Sequence, residues 1–149
     1  GRPEATGSRR RPGVRTTVDT ALTCTADADH DGLRLALMTA GRGLVAAFET
    51  GEDVTLARER VAELCRTALL PRLDEDETCL VEAGGHPETR LLAEAMRAQI
   101  RALTALSGEL AAPGEPWEAV AATRALYTML AAYSHHHALL ASALSARAP

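Results

Sequence analysis

Apolar residues recur at three- and four-residue steps through most of this chain, the spacing that puts them on one face of a helix. His30, Leu33, Leu37, Ala40, Leu44 and Phe48 form the first such stripe. Asp27 or Asp29 can cap its start, and Gly51 ends it. A second helix is predicted from near Asp53 to Gly84-Gly85, with Val61, Cys65, Leu69, Arg72, Asp76 and Cys79 in line. Pro71 removes a backbone donor within it, so a kink is expected just before Arg72. The third begins at Pro87 and presents Leu92, Met96, Ile100, Leu103 and Leu110 before Pro113-Gly114 breaks it. The fourth runs from Pro116 to about Ala146 through Val120, Leu126, Leu130, Tyr133, His137, Leu140 and Leu144. Short connections make consecutive helices antiparallel neighbours. The expected fold is therefore all-α, an up-down-up-down four-helix bundle.

Residues 1–27 carry no helical period and are predicted to form an extended N-terminal arm, leaving residues 28–149 to the bundle. The arm's first 15 residues hold Arg2, Arg9, Arg10, Arg11 and Arg15 against Glu4, a net +4. With the whole chain at −4, residues 16–149 carry −8, which argues against a nucleic-acid-binding body. Each of the 16 cations is Arg, so lysine Schiff-base chemistry is excluded as well. One Phe, two Tyr and one Trp leave the core to Leu, Ala, Val and Met.

No run approaches about 18 apolar residues, so no membrane span is predicted. No secretory signal is evident, and the chain opens on Gly1 rather than Met, so a trimmed cytoplasmic protein is expected. Cys24, Cys65 and Cys79 are odd in number and lack CxxC spacing. They point to neither a disulfide framework nor a zinc knuckle, and a buried Cys usually behaves as a small hydrophobe. His86 precedes Pro87 and reads as a loop residue.

The segment LLPRLDEDETCLVEAGGHPETRLLAEAMRAQIRALTAL, residues 69–106, resembles haemerythrin-like (HHE cation-binding) domains. The resemblance extends more weakly over residues 30–144. Such domains hold two irons between four helices, using His residues and His-x-x-x-Glu pairs whose i,i+4 spacing aims both side chains at one metal. On that resemblance, His30 matches the first-helix His, and Asp76, or Glu77 beside it, keeps a carboxylate. Arg72 and Ile100 stand where the family has His. On the last helix Ala132 falls at a His position and His136 at a carboxylate, with His137 taking that role if the register moves by one. Arg cannot ligate a metal, so an ordinary di-iron centre is not expected.

Three functions remain open on these residues. In the first, no cofactor is used and the former di-iron cavity binds a small, anionic organic molecule. Arg72 would hold its oxyanion, with Asp76, His136 and His30 as acid–base groups for isomerisation, cyclisation or elimination. Tyr133, His137, Glu77, Ile100 and Ala132 would line that cavity. In the second, an Arg72–Asp76 pair plugs the cavity of a non-catalytic scaffold or regulatory protein. In the third, His30, Asp76 and His136 hold a single metal in a redox or oxygen sensor. Three successive His span about 200° of a helix, so His135 is expected to face solvent. The expected partner is a small organic ligand, with a homodimer as the assembly to look for and neither nucleic acid nor membrane.

Overall fold

The computed structural model describes residues 27–147, and these are all-helical. Helix α1 spans Asp27–Glu49, α2 Thr55–Leu64, α3 Leu70–Gly84, α4 Arg90–Ala111 and α5 Pro116–Arg147. A five-residue π-helical segment, Cys65–Leu69, joins α2 to α3 without a break. The result is four rods, the second of them composite. Helix α5 packs along α4 and α1, α3 lies on α4, and α1 lies on α2. The arm expected over residues 1–27 falls outside the described residues, apart from Asp27, which opens α1. Among the described residues, no helix is long and apolar enough to cross a membrane.

The predicted stripes form the core. Leu37, Leu44, Val61, Cys65, Leu69, Met96, Leu103, Leu110, Leu126 and Leu144 are all but sealed from solvent. Phe48, at the end of the first stripe, is 40% exposed and falls outside it. The third helix starts three residues later than predicted, at Arg90, because residues 85–89 form a turn. Its last residue is pinned: the buried Thr89 hydroxyl donates to the Ala83 carbonyl at 2.6 Å.

The irregularity expected just before Arg72 is instead spread over Cys65–Leu69, upstream of Pro71. Pro71 has no N–H for the Thr67 carbonyl, and its ring crowds the preceding turn. The chain answers by widening that turn, and the Leu70 N–H reaches back five residues to the Cys65 carbonyl. This matters for the core. Val61, Cys65, Leu69 and Leu73 are four apart and all buried, although four-residue steps drift about 40° each on a regular α-helix. A turn with more residues absorbs that drift. Leu73, Asp76, Leu80 and Ala83 then continue inward on α3.

The helix ends are tied by side chains. Asp53 Oδ1 accepts from the Thr55 N–H at 3.0 Å, and Arg58 donates to the Leu110 and Ala112 carbonyls at 3.0 and 2.9 Å. Arg58 thereby satisfies orphan carbonyls at the end of α4 and places a cation there.

Helices α1 and α5 approach closely at Gly41. The Tyr127 hydroxyl donates to the Leu37 and Met38 carbonyls at 2.7 and 2.9 Å. A Cβ at Gly41 would overlap that phenol outright, whereas one at Gly43 meets nothing. Gly41→Ala should therefore lose about 1–3 kcal/mol through overpacking, even though Ala favours a helix. Gly43→Ala should gain up to about 1 kcal/mol. Urea midpoints of the two variants measure the difference, and equal midpoints would contradict this packing.

Candidate functional site

One polar cluster interrupts the apolar core. His30 comes from α1, Arg72 and Asp76 from α3, and Tyr133 and His137 from α5. Both pairs have i,i+4 spacing, which sets each on one helical face. His30, Asp76, Tyr133 and His137 are each at least 96% buried. Asp76 is the hub. Its Oδ2 accepts from the Tyr133 hydroxyl at 2.6 Å and lies 3.4 Å from His30 Nε2 and 3.8 Å from His137 Nε2. Its Oδ1 lies 3.3 Å from Arg72 Nε, whose side chain is itself largely buried. The His30 and His137 rings lie against each other, with centroids 4.1 Å apart.

These contacts fill the centre of the cluster with its own side chains. Room for an organic molecule opens outside it, in a groove of about 340 Å³ between α1 and α5 with His30 among its lining residues.

Burial pushes the Tyr133 phenol far above its ordinary value of 10.0, and the negative charge of Asp76 and the hydrogen bond to it push the same way; Arg72 opposes them. Tyr127 is raised as well, again chiefly by burial. A raised folded value means the unfolded chain releases these protons first. Stability from both groups is thus complete below about pH 10 and declines as pH rises beyond it. Absorbance at 295 nm should show neither tyrosine half-ionised at pH 10, with phenolate appearing together with loss of helical circular dichroism. An ordinary phenolate transition near pH 10 in folded protein would contradict the burial of Tyr133.

Four of the anticipated site residues lie elsewhere. His136 turns toward α4, where its Nδ1 is 3.1 Å from Gln99 Oε1, so the expectation of His136 in the cluster is corrected to His137. Glu77 faces Arg97 at 3.8 Å on a half-exposed surface. Ile100 is core, and Ala132 is half-buried beside the cluster-facing Tyr133. His135 is exposed, as anticipated. Gln99 as the partner of His136 had no signal in the sequence. Arg34 did have one, being four residues beyond His30.

Cys65 is a free, buried thiol whose proton affinity is raised by desolvation. Cys79 is disulfide-bonded, against the expectation drawn from cysteine count and spacing. Pairing follows approach in space, which spacing along the chain does not report.

Two irons do not fit these residues. Ile100 offers no donor atom, and Arg72 brings a fixed positive charge where a ligand would be needed. A single cation is a different case. His30, Asp76 and His137 each offer one ligand atom, and these three atoms lie within 4.8 Å of one another. Adjacent donors about a metal with bonds near 2.0–2.2 Å sit about 3.0–3.6 Å apart, close to the 3.4 and 3.8 Å separations from Asp76. Comparison with family models, curated proteins and solved structures finds no match for this chain.

Proposed function

We propose that this chain is a haemerythrin-like bundle, up-down-up-down in topology, that has exchanged a di-iron centre for a mononuclear one. His30, His137 and Asp76 hold a single divalent cation, and the protein acts as a metal-dependent sensor or regulator. The observation that carries this reading is the convergence of three donors from three helices on one buried point. Two imidazoles and one carboxylate suit iron, zinc or manganese, and when bound such an ion supplies Lewis acidity and, for iron, a one-electron couple.

The remaining residues support the donors. Tyr133 donates to the carboxylate and stays a phenol, so it orients Asp76 without adding a second negative charge. Arg72 lies beside the other carboxylate oxygen as its ion-pair partner. Burial of all three donors keeps bulk water away.

A second reading is favoured by Arg72 itself. A guanidinium 3.3 Å from the carboxylate opposes a cation and already neutralises Asp76. The cluster would then be metal-free, with Asp76, His30 and His137 as proton carriers for a small anionic molecule. Metal content of untagged protein, grown with added iron, zinc and manganese, separates the two. About one metal per chain is expected, lost in His30→Ala and His137→Ala. Folded, colourless, metal-free protein would sink the mononuclear centre and leave the second reading.

A further inference from the structure

The groove between α1 and α5 lies directly outside the cluster. It is lined by His30, Asp31, Arg34, Ser134 and His135, with Ala131 and Ala138 as apolar walls. Two of its lining residues each hold a buried polar atom with no hydrogen-bond partner among the described residues: His30 Nδ1 and Ser134 Oγ. His30 is 96% buried, and its other nitrogen faces Asp76. A buried polar atom without a partner is unfavourable by about 1–3 kcal/mol, so a partner from outside the chain is the physical expectation.

The charges indicate what kind of partner. Arg34 is the fixed positive charge among the lining residues, beside the Ser134 hydroxyl and the exposed His135. The opposing group is Asp31, 3.5 Å from Arg34, with a side chain 76% exposed. So exposed a pair contributes little and yields readily to a better acceptor. The centre behind His30 adds to this. One carboxylate faces one guanidinium, so a divalent cation would leave the interior with uncompensated positive charge. A cation on His30 Nε2 would also fix the proton on Nδ1, and metal-ligating imidazoles almost always hand that N–H to an acceptor.

We infer that this groove binds a short-chain carboxylate, its head group on His30 Nδ1, Ser134 and Arg34 and its methylenes along Ala131 and Ala138. A volume of about 340 Å³ leaves ample room for such a molecule, and the alanine walls favour carbon over a bare inorganic anion. The inference rests on the proposed centre for the proton on His30 Nδ1, while the groove itself is independent of it.

The test is titration of the intact chain with sodium malonate, and separately with inorganic phosphate, at constant ionic strength. Calorimetry gives the affinity, and the imidazole ¹⁵N resonances of His30 report the contact. Both zinc-loaded and zinc-stripped protein are used. Malonate should bind the zinc-loaded protein and shift His30 Nδ1. Ser134→Ala and Arg34→Gln should each weaken binding about tenfold or more, and His136→Ala should leave it unchanged. Zinc uptake with no response of His30 to malonate, or with unaltered affinity in both the Ser134 and Arg34 variants, overturns the groove and keeps the centre. Failure to take up zinc, with malonate binding that is lost in Ser134→Ala, overturns the centre and keeps the groove. Phosphate binding tighter than malonate, with the same variant losses, overturns the assignment to a carboxylate.

Discussion

Asp76→Ala is expected to destabilise the fold by about 3–5 kcal/mol, because it removes the carboxylate from a guanidinium that is itself largely buried. The Tyr133 hydroxyl and His30 Nε2 lose their acceptor in the same step. Against a total stability of about 5–15 kcal/mol for a domain of this size, the variant should sit near its folding limit. The double variant Arg72→Leu/Asp76→Leu should behave in the opposite way. With both charges gone and the volume refilled, its stability should match or exceed that of the native chain by about 1–4 kcal/mol. Urea denaturation of the two variants measures this contrast. An Asp76→Ala midpoint within about 0.5 kcal/mol of native would mean that the pair behaves like a surface ion pair, contrary to its burial. The comparison also bears on why the cluster exists. Apolar residues would serve stability as well or better, so a double-Leu variant that is stable but has lost its metal assigns the polar residues to binding.

Adding a divalent metal should raise the melting temperature markedly. A cation that binds only the folded state, supplied at a thousand times its dissociation constant, stabilises by about 4 kcal/mol. For a chain of this length that is a shift on the order of 10–20 °C. His137→Ala should abolish the rise and His136→Ala should retain it, since His136 pairs with Gln99 of α4 instead. A chelator should reverse the effect in native protein and do nothing to His137→Ala. Equal responses from the two His variants would remove the case for a cluster-bound cation. Arg72 sets the strength of this effect. Its charge lies on the same carboxylate, so Arg72→Gln should bind metal more tightly than the native chain.

Most of the helical architecture is legible in the residue pattern, and the reasons are local. Each stripe had to be buried somewhere, and Gly51, Gly84-Gly85 and Pro113-Gly114 left few places for the chain to turn. The inward set Val61, Cys65, Leu69, Asp76 and Cys79 was readable for the same reason. The wide turn was not. Pro71 announces a disturbance, but whether the backbone kinks or takes in an extra residue depends on which choice keeps Leu69 and Leu73 in the core. The last helix shows the same limit. Tyr133 and His137 belong to its apolar stripe, while the family resemblance pointed one residue back to Ala132 and His136. Two adjacent His differ by about 100° around the axis, and only the position of α4, with Gln99 ready to receive His136, separates them.

The candidates Arg72, Asp76, His30 and His136, with Tyr133 and His137 as lining, came from the family resemblance, whereas periodicity and turn residues were enough to predict an all-helical fold and its core. These properties depend on near neighbours along the chain, and near neighbours are what a sequence records. The meeting of His30, Asp76 and His137 at one point joins residues 46 and more positions apart, and it follows from how three helices settle against one another. The same packing closed the middle of the cluster, left His30 Nδ1 and Ser134 facing the outer groove, and sent His136 to another helix. A rotation of α5 by a single residue would reverse each of these outcomes without altering one letter of the pattern.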